Sequence, residues 1–473
     1  MRLTERLGDV DNKARDPLED KRFGQIEQDQ EAELPPQLAL LIFIGFAAFV
    51  VWLDKLQFPE ATRALWVPTV WLFTVSMKSL STWFGSPGYG IEEGSALDRN
   101  FLIILICVAI GVLFRRRFSL ASALREKPWL AVLFVFMLIS ISWSEVPFMS
   151  LKRWVREAST ILMGCVVLTE KDPWGAIGSA VRRTVYLLVP LSLLLVRYFP
   201  EYGIDYVSWS GAKMWIGVAD QKNGLGQLTS IAILFLIWNQ QKRWRLPGGR
   251  KNRLITIADL SILGAALYLS KGSEAGFSAT GYVMLAIALI GYIGLLLLKK
   301  MGTILNRNVL TLIIAFLIVF GVSTPLIGRL PGFDITSSLG RDSTLTQRTG
   351  NWALLVPVAW TKPLLGHGIG GFWTTARMDR FYYPAHNGYL EVILIQGFVG
   401  MFLMSMFLIS SARQAQSQLT QEYHWGVLWI CWLLMALLNS ITESYLHSFT
   451  NLIMAIPLWM MLAHRSGEPK PEP

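Results

Sequence analysis

Charge is scarce in this chain. Asp, Glu, Lys and Arg make up 16% of its 473 residues, against about 25% in an ordinary soluble domain. That scarcity argues against a single solvated globule. Cysteine is scarcer still: Cys107, Cys165 and Cys431 all lie inside apolar blocks. They read as small buried hydrophobes, and neither a CxxC pair nor a His-rich spacing offers a metal site. The first 36 residues lack the basic region and apolar core of a cleavable signal. They are polar and mixed in charge, and are expected to form a disordered cytoplasmic tail. A basic, aromatic-interleaved soluble module is also missing, so the net charge of +10 does not point to nucleic acid.

What the chain has instead is apolar length. Hydrophobic residues make up 53% of it, gathered in blocks that approach or match a bilayer core of about 30 Å. Its 19 Trp and 13 Tyr cluster near block ends (Trp52, Trp66, Trp71, Trp143, Trp154, Trp425), as in the aromatic belt of a membrane protein. The expected spans are 37–53, 64–83, 100–114, 128–145, 154–169, 181–199, 224–239, 254–270, 276–298, 308–327, 387–411, 423–440 and 445–463. The fold class is therefore an all-α, polytopic transmembrane helix bundle.

Lys and Arg in short loops set the orientation. Loop 240–253 carries six positive residues and is expected inside, with loop 115–127, Lys299, Lys300, Arg307, Arg413 and the 464–473 tail. Alternation then places 84–99, 145–153, 200–223 and 328–386 outside. Thirteen crossings would put the N-terminus outside as well. A cytoplasmic N-terminus requires about 12 spans, with one of the blocks 37–53 or 64–83 not crossing fully. The organisation is thus a tail over 1–36, membrane helices over 37–327, a long outer loop over 328–386, membrane helices over 387–463, and a second tail.

The outer loop is anomalous. Connections beyond about 15 residues are usually functional or disordered, and this one is rich in Gly, Arg and aromatics. It holds Arg329, Arg341, Arg348, Lys362, Arg377 and Arg380 against Asp334, Asp342 and Asp379. Positive charge kept outside makes sense if the loop meets an anion. Arg341 and Arg348 lie in GRDSTLTQRTGNW, where a guanidinium offers a planar fork that fits phosphate oxygens. A surface ion pair with Asp342 is the plainer reading for one of the two. Arg348 has no acid near it in sequence, and TLTQRTGNW resembles a helix start, which adds anion affinity.

His386 sits where the loop meets an apolar helix, in AHNGYLEVILIQG. It could accept a proton from a sugar hydroxyl, or simply enter the helix beside an Asn387 cap. His367, within GHGIGG, reads as a turn residue. The glycines 366, 368 and 371 match G-x-G-x-x-G, but without a preceding strand or a βαβ unit the dinucleotide reading fails. Lys152, Arg153 and Arg156 open the 154–169 segment. They are either interfacial anchors or a second phosphate contact, and 152 and 156 share a helix face, as do 153 and 156. Lys213, Asp220 and Lys222 precede another span. Asp9-Val10-Asp11 spells D-x-D inside the N-terminal tail and is read as chance.

Taken in order, DQKNGLGQ, GRDSTLTQRTGNW, PLLGHGIGGFW and AHNGYLEVILIQGFVG resemble the O-antigen ligase and exopolysaccharide polymerase superfamily over roughly 140–463. The resemblance is nearest to its exopolysaccharide-production (ExoQ-type) branch. It implies a GT-C-like bundle and a metal-independent, inverting glycosyltransferase of the bacterial inner membrane, with no cofactor. The implied donor is an oligosaccharide on a polyprenyl pyrophosphate, used on the periplasmic side, with other polysaccharide assembly proteins as candidate partners. Arg348 and Arg341 would stabilise the pyrophosphate leaving group, and His386 would take or position the acceptor proton. Arg156 and Lys222 match phosphate-binding positions less closely. One departure stands out: LSKGSEAGFSA at 269–279 replaces a Ser-rich stretch, with Lys271 and Glu274 of undecided role. Ligase activity towards lipid A core, a transporter or flippase, and a non-catalytic assembly subunit stay open as alternatives.

Overall fold

The computed structural model describes residues 34–85, 94–207, 210–245, 253–274, 276–327, 348–381 and 384–465. Arg341 and the D-x-D run lie outside these residues, as do most of the two tails.

In hydrocarbon every backbone polar group must be paired within its own segment, so spanning segments are helices. The chain follows that rule. The first half holds α1 (Pro36–Gln57), α2 (Trp66–Ser76), α3 (Leu80–Trp83), α4 (Ala96–Arg115), α5 (Leu120–Arg125), α6 (Pro128–Ile139), α7 (Pro147–Leu168), α8 (Pro173–Tyr198) and α9 (Pro200–Gly203). The second half holds α10 (Lys222–Arg245), α11 (Arg253–Ser270), α12 (Ala279–Lys300), α13 (Arg307–Ile327), α14 (Arg348–Ala359), α15 (Thr375–Arg380), α16 (Gly388–Gln421), α17 (Tyr423–Thr442) and α18 (Leu452–Ala463). The paired strands among the described residues are one short antiparallel ribbon, β1 (Ile204–Tyr206) on β2 (Lys213–Trp215).

Eight of these helices are long and apolar enough to cross a bilayer: α1, α4, α8, α11, α12, α13, α16 and α17. The apolar runs Pro128–Trp143 and Leu452–Ala463 are shorter. The protein is a multi-pass, all-α membrane protein. α16, α17 and α18 form its centre, where Trp425, Trp429, Trp432 and Trp459 are fully enclosed. α1, α4 and α13 instead expose large apolar side chains such as Ile42, Ile104 and Leu312, the surface that lipid covers.

Several boundaries differ from the apolar pattern, each for a local reason. The 64–83 block is interrupted: α2 ends at Ser76 and α3 begins at Leu80, capped by the Ser79 hydroxyl. α7 starts at Pro147, so Lys152 and Arg153, just ahead of the expected 154–169 span, lie within the helix together with Arg156. The last helix starts at Leu452, capped by Asn451, which leaves 443–451 as an irregular loop where 445–463 was expected to be helical.

α16 contains a break that matters for the site. Gly397 has φ +65°, a conformation open to glycine at little cost. The break frees backbone groups, and the GHGIGG loop takes them up. Phe398 and Val399 donate to the carbonyls of Pro363 and Leu364 at 2.8 and 3.1 Å, and His367 donates to Leu394 O at 3.1 Å. The loop is thereby fastened to the centre of the bundle.

One end of the bundle is closed by buried ion pairs. Asp54, fully buried, holds Arg182 and Arg183 at 2.8 and 2.6 Å. Glu170 holds Arg116 at 2.9 Å and the backbone of Thr62 at 2.9 Å. α2 begins beside this end, and its last residue, Ser76, reaches a cavity at the other.

Candidate functional site

The cavity encloses about 710 Å³. Its walls come from segments far apart in sequence: Ser76 and Met77 at the end of α2, Arg153 and Arg156 on α7, and Asp220 to Leu228 at the start of α10. Ile369 to Pro384 and Ser444 to Leu452 complete it. The outer segments expected from charge counting at 145–153, 200–223 and 328–386 thus meet around, or next to, one space.

Two cations face it from α7. Arg153 is tied to the carbonyl of Gly370, so it serves partly to anchor the loop. Arg156 is exposed to the cavity. Among the described residues its guanidinium has no ion pair or hydrogen bond. The adjacent Glu157 is buried, also lines the cavity, and is engaged by the 443–451 loop. It accepts from the Ser448 hydroxyl at 2.7 Å and from Phe449 N at 2.6 Å. Asp220 lies at the rim, where burial of its carboxyl pushes it above the usual carboxylate range against the opposing charge of Lys78. Lys222 is the first residue of α10 and half-buried; its neighbours Gln221 and Gly224 line the cavity and it does not.

Arg348 and His386 stand together beside this space, joined by a residue that the sequence reading passed over. Glu443 follows the last turn of α17 and is 2% exposed. Its Oε1 accepts from Arg348 at 2.7 Å and from the Asn223 amide at 2.6 Å. Its Oε2 lies 3.5 Å from His386 Nδ1. Burial alone would raise this carboxyl, but the charges and hydrogen bonds of Arg348 and His386 outweigh burial and hold it below its ordinary range. The next two residues, Ser444 and Tyr445, line the cavity. Neither Arg348 nor His386 lines it directly, though Pro384 does.

Each member is held from behind. Asn223 is oriented by Ser278, whose hydroxyl donates to Asn223 Oδ1 at 3.1 Å; this leaves the amide N–H groups for Glu443. Ser278 belongs to the LSKGSEAGFSA stretch, and Glu274 in the same stretch accepts from Lys213 N at 3.3 Å. The short loop therefore braces the β-ribbon and one arm of the cluster. His386 has φ +52°, rare for a non-glycine residue and worth reading as a constraint. Its successor Asn387 caps α16 through Leu390 N at 2.8 Å and donates to Ile441 O at 3.0 Å. The helix-entry role considered for this corner is thus real, and it belongs to Asn387. Upstream, Ala385 is gripped from two sides: its N–H by Glu391 and its carbonyl by Trp352, both at 2.9 Å.

Other charged and polar side chains of the 348–381 stretch are committed to structural contacts. Lys362 and Arg377 pair with Glu145 at 3.5 and 2.7 Å, so they tie the 348–381 stretch to the connection before α7. His367 is 2% exposed, with Nδ1 at 2.9 Å from Leu394 O. Burial lowers its tendency to protonate, and it is the turn residue its sequence context suggested. Groups of three or more His, Cys, Asp or Glu able to hold a metal are absent among the described residues.

The fold and this site define a polytopic helical membrane protein with a polar cavity at one end and an Arg–Glu–His cluster on a buried carboxylate beside it. No family model matches the chain. It is similar to the exopolysaccharide production protein ExoQ of Rhizobium meliloti (strain 1021), with 23% identity over 303 residues, 60% of this chain and 64% of that protein. The match spans less than two thirds of the relative's length. It supports the ExoQ-type branch of the superfamily that the motifs resemble.

Proposed function

We propose that this protein is a bacterial inner-membrane glycosyltransferase of exopolysaccharide production that joins oligosaccharide units carried on a polyprenyl pyrophosphate, working on the non-cytoplasmic face. The supporting observation is the convergence of segments expected on the outer side on one cavity, into which Arg156 presents a guanidinium unpaired among the described residues. A pyrophosphate leaving group needs cations at the lipid surface, and such an arrangement supplies them without burying charge in hydrocarbon. The pyrophosphate activates the sugar itself, so nucleotide and metal sites are not required by this scheme. Arg348 and Arg341 serve the leaving group, with Lys222 a nearby candidate, and His386 serves the acceptor hydroxyl.

The test is reconstitution in vesicles with a defined lipid-linked oligosaccharide. Lengthening of the lipid-linked glycan is the expected product. Transfer to lipid A core would make the protein a ligase. Movement of intact lipid-linked substrate across the vesicle without new glycosidic bonds would make it a transporter and sink the proposal.

A further inference from the structure

The sequence offers His386 as a base and Arg348 as an anion ligand, but leaves them unrelated. In the structure one buried carboxylate touches both. We propose that Glu443 is the positioning residue of the site: it fixes the His386 imidazole with Nδ1 towards itself and Nε2 free for the acceptor, and it couples that imidazole to Arg348. This deepens the glycosyltransferase reading and rests on it for the reaction, though not for the geometry.

The His386 side chain is 26% exposed, yet its Nδ1 is buried and makes no close hydrogen bond. The accessible part of the ring is therefore elsewhere, on the side that carries Nε2. The acid in salt-bridge range of Nδ1 among the described residues is Glu443. A carboxylate there selects the tautomer with the proton on Nδ1, and leaves the Nε2 lone pair as the acceptor. The left-handed backbone of His386 and the Asn387 tie to Ile441 O place the ring against the end of α17, where Glu443 sits.

Glu443 itself is a poor proton acceptor for substrate. It is 2% exposed, and Oε1 is occupied by Arg348 and Asn223. The charged and titratable groups near the pair, among the described residues, are Arg348 at the start of α14 and Tyr445, which feels the charge of Glu443 and, on its other side, of Asp220. Burial keeps the Tyr445 phenol neutral.

The step balances as follows. The acceptor oxygen forms a bond to the anomeric carbon of the donor sugar. The bond from that carbon to the pyrophosphate oxygen breaks, and its electron pair leaves with the lipid pyrophosphate. The acceptor's proton goes to His386 Nε2, and the new imidazolium faces the Glu443 carboxylate. Arg348, held by the same carboxylate, keeps its remaining donors for the departing charge.

Two readouts test this on the full chain in nanodiscs. The first is the pH dependence of diethylpyrocarbonate modification of His386, followed by peptide mass spectrometry. Glu443→Gln should move its half-point down by about one pH unit or more, because the carboxylate that favours the protonated ring is gone. Glu443→Asp, which keeps the charge but withdraws it, should give a smaller shift in the same direction, and stands in if Glu443→Gln does not fold. An unchanged half-point in both overturns the pairing. The second is transfer from lipid-linked oligosaccharide, where Glu443→Gln should lose about 100-fold or more and its acidic limb should move to lower pH. A shifted half-point in a chain whose wild type transfers nothing would leave the pairing standing and remove the glycosyltransferase reading. An unshifted half-point in an active chain would do the reverse.

Discussion

The indole N–H of Trp352 donates to the carbonyl of Ala385 at 2.9 Å. Trp352 is one turn into the helix that Arg348 begins, and Ala385 immediately precedes His386. The bond therefore ties the two candidate residues of the outer loop to each other. Trp352→Phe keeps the ring and removes the donor, leaving a buried carbonyl unpaired. It should cost about 1–3 kcal/mol locally and lower transfer by misplacing His386, with insertion unchanged. Thermal inactivation and transfer rate, measured on the same reconstituted sample, check it. Wild-type values for both would show that the tie does nothing.

Glu157 is a second brace. It is a buried acid within α7 whose oxygens hold the Ser448–Thr450 turn. Hydrogen bonds to a charged group contribute about 1.5–3 kcal/mol each, so Glu157→Ala should lower stability on the order of 3 kcal/mol and loosen the cavity wall between Tyr445 and Asn451. Limited proteolysis at the 443–451 loop should become faster. Equal cleavage rates in mutant and wild type would remove Glu157 from this role.

The pairing of Glu145 with Arg377 and Lys362 has a pH signature. Hydrogen bonding from Arg377 holds the Glu145 carboxyl below its ordinary range against the opposing effect of burial, with the charges of Arg377 and Lys362 adding to it. A depressed carboxylate contributes stability above its unfolded value of about 4.3, and that contribution is lost as pH falls through the folded value. Glu145→Gln should therefore melt earlier than wild type at neutral pH, and the two should converge in acid. The effect is modest because the pair is solvent-screened. A difference that persists unchanged below the folded value would refute the assignment.

Much of this was legible in the residues. The apolar blocks gave the class of fold, since hydrocarbon leaves few alternatives to helices. Arg156 and Arg348 stood out because positive charge on a segment expected outside is costly to explain by topology, and His386 because it sits where that loop meets an apolar helix. The turn role of His367 followed from the glycines around it. Glu443 was not legible in the same way. An apolar run read from Tyr445 onwards leaves Glu443 in a connection of 441–444 alone, and hides the polar residues between Tyr445 and Asn451 inside a presumed span. The signal was present in T-E-S-Y-L-H-S-F-T-N, which is too polar to begin a membrane helix. What no local pattern could give is the pairing across more than 200 residues of chain, Asn223 with Glu443, because side-chain period reports a face and not its partner. The pairing of Lys362 and Arg377 was hidden for the same reason: their acid, Glu145, lies on another segment.

The most direct test of the account is transfer of a lipid-linked oligosaccharide by the reconstituted protein carrying His386→Ala or Arg348→Lys. The account predicts that each variant inserts and folds as the wild type does and loses transfer, while His367→Asn, altered in a structural turn, keeps its catalytic rate once corrected for the fraction folded. Full transfer by His386→Ala or by Arg348→Lys would contradict it.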